Sequence, residues 1–121
     1  MNILNGEFGS AMKVTIFSLK GTSSEPQCID INNEILSTIN MHTDGMKHCS
    51  YFYPTPNGNG GSGLTLFQPL VESFIAWDIW TDLMGAYLFL VSCKEYDINT
   101  ITKILEKYYK ISEIQTTIAK I

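Results

Sequence analysis

Residues 72–82 read Glu-Ser-Phe-Ile-Ala-Trp-Asp-Ile-Trp-Thr-Asp, placing three carboxylates (Glu72, Asp78, Asp82), one hydroxyl (Ser73) and two indoles (Trp77, Trp80) in eleven positions. These residue types suit nucleophilic and acid–base chemistry, and an indole face attracts a cation. Twenty positions after Ser73, at the end of the next apolar run, comes Cys93. Two adjacent antiparallel strands bring such ends back together, so Ser73 and Cys93 are expected to be spatial neighbours. A plain structural account competes with this one. An edge strand with one polar face explains the carboxylates, and an unpaired cysteine is commonly a small buried hydrophobe.

Composition narrows the setting. The chain has 121 residues and 13.6 kDa, enough for one domain, with 45% apolar and 17% charged residues to build a core. No apolar run approaches the roughly 20 residues of a membrane span. The first residues lack the basic region and long apolar run of a secretory signal, so the expected compartment is the cytoplasm. Net charge is −4 and all eight basic residues are Lys. Without the planar fork of Arg, nucleic-acid recognition is not expected. Cys28, Cys49 and Cys93 are odd in number and form no CxxC pair, and His42 and His48 are the only histidines. Neither a disulfide framework nor a zinc site is expected, so the thiols are free, two in the core and one available for chemistry. Both histidines read as ordinary surface or turn residues.

The elements that must position these groups follow from periodicity. Met12–Leu19 alternates β-branched and polar residues and predicts a strand. Ser24-Glu25-Pro26 opens a helix whose stripe Cys28, Ile31, Ile35, Ile39 is core, ending near Asp44-Gly45. A strand over 46–53 stops at Pro54 and Pro56, and the Gly-rich run 57–63 is a turn, since no Lys-Ser/Thr follows it as in a phosphate loop. Apolar runs at 64–70, 74–80 and 86–92 are strands. Asp97 caps a last helix carrying Ile98, Ile101, Leu105 and Tyr108 on one face, and 112–119 is a final strand. The order β-α-β-β-β-β-α-β predicts an α+β two-layer sandwich, one mostly antiparallel sheet with both helices on one face. The domain is placed at 12–121, after an N-terminal arm or tag-like segment at 1–11.

With these elements in place, the chain resembles the small prokaryotic S-adenosylmethionine decarboxylase proenzymes. Their motif is Glu-Ser-His-Ile-x-x-His-x-Trp-Pro-Glu, followed by a strand ending in a catalytic Cys. Glu72, Ser73, Ile75 and Trp80 match, Asp82 replaces the Glu, and Cys93 keeps the spacing. The resemblance implies a cut between Glu72 and Ser73, with Ser73 converted to a pyruvoyl group that acts as an electron sink during loss of carbon dioxide. It makes Cys93 the proton donor to substrate carbon and places Asp82 on ribose hydroxyls; cation–π attraction suits Trp77 and Trp80 to binding the sulfonium, the alternative being core or interface aromatics. The family's two motif histidines are Phe74 and Asp78 here, and its Pro is Thr81. Asp78 then takes the part of the base, a role that burial favours by raising a carboxyl pKa.

The expected function is therefore an S-adenosylmethionine-directed lyase feeding polyamine synthesis. Two rivals keep the ligand. An uncleaved lyase, with no cofactor, would release methylthioadenosine and homoserine lactone. An inactive homologue would bind ligand or regulate an active partner. A two-layer sheet leaves one face uncovered, and Trp77, Phe89 and the many Tyr residues cannot all hide in one protomer, so a homodimer or trimer is expected. The enzymatic reading requires the Ser73 hydroxyl and the Cys93 thiol to converge on one cavity.

Overall fold

A computed structural model describes residues 11–53 and 62–121. Strand β1 (Ala11–Lys20) turns Thr15, Phe17 and Leu19 inward and Lys13 toward Glu95. Helix α1 (Glu25–Ile39) begins where Ser24 accepts the Gln27 N–H at 3.3 Å, and buries Cys28, Ile31, Asn32, Ile35 and Leu36. It stops at Asn40, whose left-handed backbone (φ +58°) donates to the Leu36 carbonyl. The expected end at Asp44-Gly45 was late because Asn tolerates that C-terminal conformation as Gly does.

Strand β2 (Cys49–Tyr53) is shorter than expected and is followed by β3 (Gly63–Leu70), β4 (Ser73–Trp80), a single 3-10 turn (Thr81–Leu83) and β5 (Gly85–Ser92). Gly63 is required where it stands, since a Cβ there would lie 2.1 Å from the Ile79 carbonyl oxygen. Helix α2 (Ile98–Leu105) is capped by Asp97, whose side chain accepts the Asn99 N–H at 2.9 Å, and ends before Tyr108. Strand β6 (Lys110–Lys120) closes the chain.

The six strands form one antiparallel sheet in the order β2-β3-β4-β5-β1-β6, with both helices packed on one face. The fold is the α+β sandwich that the periodicity predicts. Ala11 belongs to β1 rather than to an arm; the rest of that segment, and the Gly-rich turn except Ser62 and Gly63, lie outside the described residues. Among the described helices, none is long and apolar enough to cross a membrane.

Alternation decides which groups enter the core. In β4, Ile75, Trp77 and Ile79 face the helices, whereas Phe74, Ala76, Asp78 and Trp80 face the opposite, uncovered side. Trp77 is fully buried; its indole N–H donates to Asn32 Oδ1 at 2.7 Å and its ring lies 5.8 Å from that of Tyr109. The sulfonium wall expected at Trp77 is therefore corrected to a core position. Of the cysteines only Cys28 is fully buried, and burial, aided by Glu25, pushes its thiol up to about 12. Cys49 is exposed on β2, so the expectation of two core cysteines does not hold.

The uncovered face is aromatic. The Phe67 and Phe74 rings meet at a tilt with centroids 5.1 Å apart, and those of Tyr87 and Phe89 with centroids 6.4 Å apart. Phe67, Tyr87 and Trp80 remain 41%, 43% and 44% exposed.

Candidate active site

The turn between β3 and β4 carries Glu72 and leads into Ser73. Leu70 pairs with Ser73, so Val71 and Glu72 form a two-residue connection. The Glu72 carbonyl oxygen accepts the Cys93 N–H at 3.0 Å, which extends the β4–β5 ladder by one step. Ser73 has φ +149°, a conformation that favours glycine and costs a residue with a side chain about 1–3 kcal/mol. The Glu72 carboxylate accepts the His42 backbone N–H at 2.9 Å and contacts His42 Nδ1 at 3.0 Å, while the Val71 N–H donates to the His42 carbonyl at 2.8 Å. Burial acts to raise the Glu72 pKa, but the His42 hydrogen bonds together hold it below the ordinary carboxylate value.

Stability follows from the sign of that shift. A carboxyl lowered in the folded state stabilises it above its unfolded pKa, and the benefit disappears as pH falls through the folded value. Acid unfolding of Glu72→Gln is thus expected to show a shallower pH dependence below about pH 4.5 than the wild type, measured by urea midpoints.

Beside this turn, Ser92 lies directly opposite Ser73 and is fully buried, its hydroxyl donating to the Lys94 carbonyl at 2.9 Å and accepting the Lys94 N–H at 2.8 Å. Lys94 Nζ in turn donates to the Asn40 carbonyl at 2.6 Å. Ser73 and Cys93 are thus near neighbours across the strand ends, one residue out of direct register. In a regular pleat that offset sends the two side chains to opposite faces, although the positive φ takes Ser73 out of the regular pleat. Neither Ser73 nor Cys93 is among the lining residues of the cavities described below. The ladder puts Ser92, rather than Cys93, directly opposite Ser73.

The remaining candidates lie farther along. Asp78 is five residues down β4, about 16 Å from Ser73 at the usual strand rise. A base acts within hydrogen-bond reach, so Asp78 is not the base for the 72–73 bond of its own chain. It sits on the open face opposite Thr65 and Tyr87; one carboxylate oxygen accepts the Trp80 indole N–H at 2.9 Å and the other lies 3.5 Å from the Thr65 hydroxyl. Asp82, in the 3-10 turn, accepts the Ser62 N–H at 2.8 Å. Trp80 lines a cavity of about 350 Å³ with Tyr87 and Leu83, and a smaller one of about 190 Å³ with Tyr53 and Ser62. A groove of about 770 Å³ reaches the other end, lined by Asn40, His42, Asp44 and Val71 among others.

His42 is the site residue that sequence reasoning missed. It is separated from Glu72 by 30 positions, and nothing in its local pattern distinguishes it from His48, whose Nε2 lies 3.5 Å from a Glu25 carboxylate oxygen.

No family model matches the chain, and no curated protein sequence matches it. Among solved structures, the fold is similar to the crystal structure of the adenosylmethionine decarboxylase from Aquifex aeolicus VF5. That likeness has a TM-score of 0.61 at 13% identity and covers 92% of this chain and 90% of that one. At such identity the likeness concerns the fold.

Proposed function

We propose that this chain is a self-processing lyase of the adenosylmethionine decarboxylase kind, cutting its backbone between Glu72 and Ser73. The observation that carries this reading is the state of that one peptide unit: Ser73 is held at φ +149° while the carbonyl that its hydroxyl would attack sits on the Cys93 N–H. Backbone strain stored at a serine favours a reaction that breaks the adjoining bond, and a fixed N–H donor favours the oxyanion that forms there.

The chemistry balances with water as the only added reactant. Ser73 Oγ bonds to the Glu72 carbonyl carbon, the C–N bond breaks, and the nitrogen keeps the hydroxyl's proton, giving an ester. Loss of the Ser73 α-proton then expels the Glu72 carboxylate, and water releases ammonia to leave the pyruvoyl end. That end is no bulkier than the serine it replaces, so it fits the half-buried position 73. The pyruvoyl carbonyl supplies an electron sink that no side chain has, for decarboxylation of S-adenosylmethionine. The positive φ that takes Ser73 out of the regular pleat is what lets it share a site with the adjoining Cys93. Cys93 is then the proton donor to substrate carbon, with Trp80 and Asp82 as binding residues.

Because Trp80 and Asp82 stand at the far end of β4, the reading includes a homodimer closed over the aromatic face. A two-fold axis running across the strands sets the Trp80–Asp82 end of one copy over the Ser73–Cys93 end of the other. Sedimentation is expected to report twice 13.6 kDa. Phe67→Asp places a charge in that face and is expected to weaken self-association about thirtyfold or more, the effect of losing one aromatic anchor. A wild-type monomer at all concentrations overturns the dimer.

Intact mass tests the function itself. Purified protein is expected to show fragments of 72 and 49 residues, the second blocked by pyruvoyl, and to release carbon dioxide from S-adenosylmethionine. A chain that stays whole overturns the pyruvoyl reading. Methylthioadenosine with lactone then identifies the uncleaved lyase, and binding without turnover the inactive homologue.

A further inference from the structure

We infer that His42 is a positioning residue for the scission at Glu72–Ser73, clamping the Glu72 side chain so that the strained peptide cannot relax. This inference rests on the self-processing reading and adds to it a residue outside the motif.

Residue 42 makes three hydrogen bonds to two successive turn residues: its N–H and Nδ1 to the Glu72 carboxylate, and its carbonyl to the Val71 N–H. The Glu72 side chain is 11% exposed and the His42 side chain 56%, so the carboxylate is the held partner and the imidazole stands at the groove. The arm that carries His42 is itself anchored. Met41 is buried and donates its N–H to the Leu36 carbonyl at 2.9 Å, Asn40 accepts Lys94 Nζ at 2.6 Å, and the Met46 N–H closes on the Thr43 carbonyl at 2.9 Å.

Glu72 is thereby gripped at both ends. Its main-chain carbonyl is held by the end of β5 and its carboxylate by the loop after α1. A residue at an unfavourable φ persists only where its surroundings over-determine it, and these two grips supply that for Ser73. Releasing the side-chain grip lets the turn rotate, the φ relax and the carbonyl leave the Cys93 N–H. The motif histidines that this chain lacks are thus not replaced by another proton shuttle; what His42 supplies is geometry.

The test compares cleavage time courses of the full chain for wild type, His42→Ala and His42→Asn. Asn offers an amide N–H close to where Nδ1 stands but carries no proton back and forth. His42→Ala is expected to slow cleavage about tenfold to a hundredfold, the effect of one lost hydrogen bond to a charged group, and His42→Asn to restore it to within about threefold of wild type. Melting curves separate slow cleavage from poor folding, and the Asn variant carries the discrimination if Ala folds badly. A wild type that cuts while His42→Ala cuts equally fast overturns the clamp alone. So does an Asn variant as slow as Ala, which would make the imidazole a proton carrier. A wild type that never cuts overturns the self-processing reading and the clamp with it.

Discussion

Ser73→Ala is expected to leave every chain whole and to abolish decarboxylation, an all-or-none result read by intact mass and carbon dioxide release. The hydroxyl is the only group adjoining the 72–73 bond that can capture the acyl carbon without leaving the backbone, so its loss removes the first bond-forming step. Alanine suffers the same steric conflict as serine at φ +149°, so strain is retained while the nucleophile is lost. Ser73→Gly removes both. It too is expected to stay whole, but its urea midpoint should rise, by about 1–2 kcal/mol of added stability, because glycine adopts that φ freely. The pair separates two contributions that a single substitution confounds. Should Ser73→Gly prove no more stable than Ser73→Ala, the backbone at 73 is not strained and the chief support for scission is gone.

Trp77→Ala is expected to cost more stability than any other substitution named here. A buried Trp truncated to Ala loses about 3–5 kcal/mol of packing, and leaving Asn32 Oδ1 without its donor adds about 1–3 kcal/mol. Small domains hold only about 5–15 kcal/mol in total, so this variant should be largely unfolded near physiological temperature. Trp77→Phe isolates the polar part: it keeps most of the ring and strands the Asn32 amide, for an expected loss of about 1–3 kcal/mol. Pairing it with Asn32→Leu removes both polar partners and should recover much of that loss, since the cost lies in the unsatisfied group. Urea unfolding measures all three. Turnover per folded molecule of Trp77→Phe is expected to match wild type, because the indole faces Asn32 and Tyr109 on the helical side. A selective rise in KM for S-adenosylmethionine would return Trp77 to the binding site.

The contrast between Trp77 and Trp80 shows how far pattern alone carries. Three positions apart in a strand, they must face opposite sides, and the alternation of Ile75, Trp77 and Ile79 against Phe74, Ala76 and Asp78 is visible in the sequence. Which side the helices would cover was not, since both rows contain aromatics. Element order was legible because it depends on neighbours two to four residues apart: the Cys28, Ile31, Ile35 stripe, the Ser24 and Asp97 caps, the glycine at 63. Helix ends were less so, as the left-handed Asn40 demonstrates, because Asn competes with Gly for that conformation.

Within the candidate site, the proximity of Ser73 to Cys93 was readable from strand lengths, but its register was not. A slip of one residue reverses the face of every side chain, and here it brings the Cys93 backbone to Glu72 and the Ser92 side chain opposite Ser73. The distance from Ser73 to Asp78 was hidden for a related reason: five positions are close in sequence and far apart in an extended strand. What the amino-acid sequence determined by itself was the set of elements, the Glu72-Ser73 dipeptide at a strand start and the apolar stripes that bury one face. Only the tertiary structure decided that β1 lies between β5 and β6, and that the loop after α1 closes on the β3–β4 turn through His42 and Glu72. Local propensity reaches about one helical turn or one strand pair; contacts across 30 residues are set by where whole elements dock, and docking is fixed by the sum of many buried side chains.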